Sequence, residues 1–289
     1  MNYTMHAMEV RRVADPSEFL DRTGPLLLDD EARHNLILGI AGTLRDFPSV
    51  YPEHRLWAVE DAGIVAGAAL QTPPFNIVVA RPTTAGTLAA LVDALHDEQV
   101  DVPGVTAATP EVDTFADAWE ARSGQHRRER MRQRVYQLTA VSAPRAVPGQ
   151  PRPATDTDRE LLVSWIRAFA DEALGDSESP AGNAERVVAG RLGGVGGFVL
   201  WEDGEPVSLA GWGGRTPNGV RIGPIYTPPR HRGRGYGSAA TAAVSADRLA
   251  SGCRFCFLYT DLSNPTSNRI YVDVGYEPVC DSVDYAFDG

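Results

Sequence analysis

The sequence predicts an α+β (alpha-beta) chain built from two consecutive units of the same plan. Three observations lead there: a Pro-rich segment at mid-chain, a hairpin signature found once on each side of it, and the same order of elements after each hairpin. The segment Ala143-Pro-Arg-Ala-Val-Pro-Gly-Gln-Pro-Arg-Pro153 is expected to enter neither sheet nor helix and to serve as a linker. It divides the chain into a first domain at 1–141, a linker at 142–153 and a second domain at 154–289. Leu56-Trp-Ala-Val-Glu-Asp61 parallels Phe198-Val-Leu-Trp-Glu-Asp203. Each runs into a turn and a second strand, then a strand, a helix, a strand, a helix and a last strand, the pattern of an internal duplication.

Element by element, Glu9 to Val13 reads as a strand, and Asp15-Pro-Ser-Glu18 as a helix start with an Asp or Ser cap and Glu in the first turn. Ala32 to Arg45 carries apolar residues at helical spacing. Leu56 to Val59 and Ile64 to Leu70 flank a turn and predict a hairpin. Phe75 to Ala80 and Val105 to Ala108 read as strands, Thr84 to Glu98 and Val112 to Arg122 as helices, and Arg134 to Val141 as a closing strand. Beyond the linker, Leu161, Leu162, Trp165, Ile166 and Phe169 recur at helical spacing, and Ala184 to Leu192 continues as a helix. A hairpin spans Phe198 to Trp212, and a short strand at Val220 to Tyr226 is stopped by Pro228-Pro229. The Ala-rich run Ala239 to Leu249 predicts a helix, Phe255 to Thr260 a strand, Pro265 to Val274 a helix, and Ser282 to Phe287 a last strand.

Composition sets bounds. Of 289 residues 43% are hydrophobic and 22% charged, so an ordinary core is available. No apolar run approaches membrane-spanning length and no basic segment precedes an apolar one at the start, which predicts a cytoplasmic protein without a membrane partner. A net charge of −11 argues against nucleic acid and inclines the reading toward cationic amines. Lys is absent, which excludes Schiff-base chemistry. Cys253-Arg-Phe-Cys256 reads as part of a strand, where residues three apart face opposite ways, so a shared metal is not expected and the cysteines read as buried.

The stretch that carries chemistry is Ile225-Tyr-Thr-Pro-Pro-Arg-His-Arg-Gly-Arg-Gly-Tyr-Gly-Ser238. Gly233, Gly235 and Gly237 remove the Cβ atoms from a turn entering a helix, so that backbone N–H groups can converge on an anion such as a pyrophosphate. A Walker loop requires Lys. A dinucleotide fingerprint requires a third Gly where Ser238 stands, and an early position in the chain. The spacing R-x-x-G-x-G, met by Arg232, Gly235 and Gly237, resembles the acetyl-CoA loop of the GNAT superfamily of N-acetyltransferases. A second match follows at the family's distance: Asn264, Ser267 and Tyr271 resemble N-x-x-S-x-x-x-Y, with Gly275-Tyr276 after it. The resemblance covers roughly residue 155 to the end.

It implies two tandem GNAT-like domains, each a mixed, mostly antiparallel twisted sheet flanked by helices. It also implies an acetyl-CoA-dependent N-acetyltransferase acting by direct attack of a primary amine on a small molecule or on a peptide or protein. A non-catalytic acyl-CoA-binding or regulatory module is the alternative. The implied cofactor contacts are backbone pairing at Ile225, Tyr226 and Thr227, a phosphate cradle from Arg232, Gly233, Arg234, Gly235, Tyr236, Gly237 and Ser238, and the contacts of Asn264 and Ser267 to the pantetheine or adenosine diphosphate arm. Tyr271 is the implied catalytic residue, placed near the thioester sulfur, and no metal is implied. The strand before the loop lacks the Glu that many family members place there, so the base stays open among Asp171, Glu172, Glu178, Asp261 and a water chain. Thr83-Thr-Ala-Gly-Thr87, the counterpart loop in the first unit, lacks the Arg and the paired glycines and is expected to be degenerate. The tandem arrangement suits a monomer that is itself a pseudo-dimer, or a homodimer.

Overall fold

The computed structural model describes residues 8–174 and 181–288. They form two compact units, one running to Val135 with Asp261–Ser263 and the stretch from Val279, the other comprising Tyr136–Thr260 and Asn264–Pro278.

The first unit begins with β1 (Glu9–Val13), α1 (Pro16–Leu28), α2 (Asn35–Asp46), β2 (Arg55–Asp61) and β3 (Ile64–Gln71). It continues through β4 (Ile77–Val79), α3 (Thr87–Asp97), β5 (Gly104–Ala108), α4 (Glu111–Ser123) and β6 (His126–Leu138), whose last residues belong to the second unit. The expected cap at Asp15 forms, its carboxylate accepting from the Ser17 N–H at 2.6 Å and the Glu18 N–H at 3.3 Å. Strands β1 to β4 pair antiparallel in sequence order, and β5 joins β4 in parallel across α3. Because β2 is buried on both faces, Leu56 and Ala58 meet Phe19, Leu27 and Leu38 while Trp57 and Val59 meet Leu91, Phe115 and Val112.

The second unit contains β7 (Gln150–Pro153), α5 (Arg159–Leu174), α6 (Ala181–Gly190), β8 (Gly196–Asp203), β9 (Glu205–Gly213) and β10 (Gly219–Tyr226). After these come α7 (Tyr236–Ala250), β11 (Phe255–Asp261), α8 (Pro265–Val274) and the terminal β12 (Glu277–Asp288). Strands β7 to β10 are antiparallel neighbours, and β11 pairs β10 in parallel across α7. This is the plan of the first unit, down to a register shift at Val59/Glu60 in one hairpin and at Trp201/Glu202 in the other. The predicted class, α+β with mostly antiparallel sheet and flanking helices, is the observed one.

Two expectations are corrected. The Pro-rich segment was expected to join no sheet, yet Gln150–Pro153 forms an edge strand on β8, with Pro151 opposite Trp201 and Pro153 opposite Val199. The Ala154 N–H reaches the Phe198 carbonyl at 2.9 Å, which sets the phase: even-numbered nitrogens face β8, and the prolines' nitrogens, lacking hydrogen, face outward. The terminal strand, read as closing the second domain, pairs β5 of the first unit, Ser282 to Ala286 against Ala108 to Gly104. Gly104 permits this, because a Cβ there would lie 2.0 Å from the Tyr285 carbonyl oxygen. The basic strand β6 is matched along this edge: Arg128 to Asp288 at 2.8 Å, Arg130 to Asp284 at 2.7 Å and Arg134 to Asp281 at 2.7 Å. Among the described residues no helix is long and apolar enough to cross a membrane.

Candidate active site

The site begins where β10 leaves its neighbour. Against β9, Arg221 and Ile222 pair with Gly213 and Trp212, but Ile225 and Tyr226 pair with Ala210 and Leu209, one residue out of step. A bulge at Gly223-Pro224 absorbs the extra residue and bends the strand. On the other side, parallel pairing with β11 covers only Gly219–Arg221 with Phe255–Phe257. Beyond Arg221 both strands continue without pairing to each other, so backbone groups of Ile225 and Thr227 border an opening. Ile225 packs toward α7 and Tyr226 toward α5, as alternation requires.

The chain then turns at Pro229–His231 and enters α7 through the glycines. Gly233 has φ +75° and Gly235 φ +88°, backbone shapes that favour glycine. Gly235 is the N-cap residue and no side chain caps the helix. The first turn therefore presents the N–H groups of Tyr236, Gly237 and Ser238 outward, where the helix dipole also favours an anion. At Gly237 a Cβ would come 3.3 Å from Thr227 Oγ1, which in turn is held by Ser208 Oγ at 2.8 Å.

Not every predicted side chain points at this cradle. Tyr236 is buried, and its hydroxyl donates to Asp203 Oδ2 at 2.6 Å, a bond that raises its pKa; it fixes the loop to the β8–β9 hairpin. The Arg234 side chain bonds the same hydroxyl. Arg232 donates from Nε to the Thr227 carbonyl at 2.8 Å and from its terminal nitrogen to Glu172 Oε2 at 2.5 Å, lying 5.8 Å over the Tyr226 ring. Tyr226 in turn donates to Glu172 Oε1 at 3.3 Å, and burial first, then Glu172, raises its pKa. The Glu172 and Asp203 contacts have no signature in the local sequence; both join residues far apart in the chain.

Helix α8 supplies the second group. Asn264 caps it, its Oδ1 accepting from the Ser267 N–H at 3.0 Å, which is a structural task for that side chain. One turn on from Ser267, Tyr271 is buried, hydrogen-bonded with the Ser267 side chain and set edge-on to Tyr276 at 6.2 Å. Burial pushes its phenol up to about 12.

The candidate bases separate. Asp171 is exposed on α5. Glu172 is committed to Arg232 and Tyr226. Asp261 accepts from the Ser263 N–H at 2.7 Å. Glu178 lies outside the described residues. Cys256 is buried in β11, its thiol pushed up to about 12 by burial, while Cys253 precedes that strand rather than lying in it.

Comparison with known proteins agrees with this geometry. Residues 160–276 match the model of the acetyltransferase (GNAT) family. No curated protein sequence matches. Among solved structures, a GCN5-related N-acetyltransferase from Sphaerobacter thermophilus is similar at TM-score 0.62 and 17% identity, over 96% of this chain and 95% of that one. A tandem GNAT protein from the clavulanic acid biosynthesis pathway is similar at TM-score 0.60 and 17% identity, over 98% and 99%. An acetyltransferase of the GNAT family from Colwellia psychrerythraea is similar at TM-score 0.57 and 11% identity, over 97% and 100%. Such identities speak for the fold alone. The opened strand pair and the uncapped glycine-rich helix entry both lie within residues 160–276, the stretch that matches the acetyltransferase (GNAT) family.

Proposed function

We propose that the second unit is an acetyl-CoA-dependent N-acetyltransferase that acts on a primary amine of a small molecule or of a peptide or protein. The observation that carries this reading is the uncapped N-terminus of α7, behind Gly233 and Gly235, beside a strand edge released by the bulge of β10. The residues fit the cofactor's parts. N–H groups at 235–238 suit a pyrophosphate, with charge-assisted hydrogen bonds of roughly 1.5 to 3 kcal/mol each. Arg232 adds charge once it exchanges Glu172 for a phosphate oxygen. The free edge at Ile225 to Thr227 suits the pantetheine amides, in the manner of an added strand.

Acetyl-CoA supplies the activated acyl group. The amine nitrogen attacks the thioester carbonyl; a C–N bond forms, the C–S bond breaks, and the sulfur gains a proton while the nitrogen loses one. Tyr271 is the residue we assign to the departing sulfur, as a hydrogen-bond donor whose bond strengthens as charge builds. We assign deprotonation of the acceptor to solvent: among the described candidates Glu172 is engaged with Arg232 and Tyr226, Asp171 is exposed and Asp261 accepts from the Ser263 N–H. The rate should therefore rise with pH as the free amine becomes available. We place cofactor binding in the second unit alone.

Release of free thiol from acetyl-CoA across a panel of amines tests the reading. Turnover dependent on an amine supports it. Stabilisation by acetyl-CoA without thiol release from any amine would assign the chain to non-catalytic acyl-CoA binding.

A further inference from the structure

Among the described residues, one cation of the second unit buries a nitrogen that has no hydrogen-bond partner. Arg221, the last residue of β10 paired to β11, buries its Nη1 atom with no hydrogen-bond partner. A buried guanidinium nitrogen without an acceptor is costly and calls for a ligand. The surroundings leave room for one. Across the sheet Gly196, Gly213, Arg221 and Phe257 stand in register, one on each of four strands, so the row beside Arg221 on β9 and β8 carries no side chains. A Cβ on Gly213 would meet nothing closer than the Val195 carbonyl oxygen at 3.7 Å and Arg191 at 3.8 Å. A Cβ on Gly214 would lie 2.6 Å from Arg221 Nη2, so that guanidinium reaches over bare backbone.

A second guanidinium flanks the same glycine. Arg191 lies 5.0 Å over the Phe198 ring and donates to the Gly223 carbonyl at 2.6 Å, which fixes it at the bulge of β10. The strand edge assigned to the pantetheine begins two residues later, at Ile225. Two planar guanidinium groups beside a glycine floor, next to where the acyl group would be presented, match a carboxylate in size and charge.

We propose that Arg221, with Arg191 across Gly213, binds the carboxylate of the acceptor, so that the acceptor is an amino acid or similar small molecule carrying an amine and a carboxylate together. The proposal rests on the acetyltransferase reading and narrows its substrate class. It also revises the cationic amine suggested by net charge, because two guanidinium groups stand at this face.

The experiment pairs amino acids with their decarboxylated amines: alanine with ethylamine, phenylalanine with 2-phenylethylamine, lysine with 1,5-diaminopentane. Thiol release from acetyl-CoA and the shift in Tm with each compound are measured on the full chain and on Arg221→Gln and Gly213→Ala. The amino acids should be the better acceptors. In either variant their advantage in kcat/KM over the decarboxylated partner should fall by roughly tenfold or more, the loss of one charge-assisted hydrogen bond. Tm should fall little in Arg221→Gln, since the buried Nη1 lost with the guanidinium has no hydrogen-bond partner among the described residues. Equal or better use of the decarboxylated amines, or a drop in Tm with uniform loss against both members of each pair, overturns the proposal. Stabilisation by amino acids that depends on Arg221, with no thiol release from any acceptor, keeps the carboxylate subsite and discards the enzymatic reading. Absence of both discards the subsite as well.

Discussion

Replacing Tyr271 with Phe removes one oxygen from a buried, nearly closed environment and leaves the ring that packs against Tyr276 in place. The structure sets the size of the effect. With the phenol pushed up to about 12 and a thiol near 8.5, full proton transfer to the sulfur is uphill by about 3.5 pKa units, roughly 5 kcal/mol. A complete transfer ahead of bond breaking is therefore too costly, and Tyr271 works as a donor that follows the developing charge. Removing such a donor lowers kcat by about 10²- to 10³-fold. Steady-state kinetics with saturating acceptor, beside direct titration of acetyl-CoA, separates this from binding: kcat falls and the dissociation constant changes less than about twofold. No alkaline limb from this phenol should appear below about pH 11, since burial keeps it protonated there. Unchanged kcat, or a loss shared equally between kcat and acetyl-CoA affinity, refutes the assignment.

Three further outcomes follow from contacts described above. Glu172→Gln frees Arg232 from an ion pair between two half-exposed side chains, worth at most about 1 kcal/mol, so calorimetry should show acetyl-CoA binding tightened by up to about fivefold. Gly235→Ala forces an L-residue to φ +88° with its Cβ 2.9 Å from Val147, costing roughly 1 to 2 kcal/mol and weakening acetyl-CoA binding; Gly204→Ala, at φ +74° in an open hairpin turn, should cost similar stability and leave binding intact. Asp158, held down to about 2 by its two bonds to Arg152 and those to Thr155, contributes stability that is complete above its unfolded value near 3.8 and is lost as pH falls through about 2. Asp158→Asn should thus cost about 2 kcal/mol in denaturant unfolding at neutral pH, with the difference from the unaltered protein closing as pH falls from about 4 toward 2.

What could be read in the sequence was local. The turn through Gly233 and Gly235 was visible because a positive φ restricts the residue type, and the cap at Asp15 because an N-cap acts over three residues. Hairpins and helices showed through their periods. What depended on pairing did not show. Pro151 and Pro153 ruled out a strand until the register turned both of their nitrogens outward. Strand β6 was read only from Arg134, since charges on both faces of His126–Leu138 hide its period and the carboxylates answering them lie in β12. The destination of β12 rests on Gly104, far away in the chain. The glycines at 196 and 213 carry no local signal and form a floor only when four strands align.

The first unit shows what separates a retained cradle from a closed one, on the reading that only the second unit holds cofactor. Both units reach their central helix from a strand that pairs in parallel with the next, and both enter it through a glycine in the left-handed region, Gly86 at φ +85° and Gly235 at φ +88°. Backbone shape at the cap is therefore common to the two. The difference lies on either side of it. Two residues past the cap the second unit has Gly237, while the first has Leu88, buried in its core. Three residues before the cap the second unit has exposed Arg232, while the first has Thr83, whose N–H is spent on the Ala66 carbonyl at 2.9 Å. The Thr87 hydroxyl then bonds the Thr84 carbonyl at 2.7 Å, tying the turn to itself. A helix dipole and a left-handed cap are thus present in both copies and cannot by themselves specify a phosphate site. On the proposed reading specificity comes from the missing Cβ at Gly237 and the donors around it, where the first unit has the buried Leu88 and a Thr83 N–H bonded to Ala66.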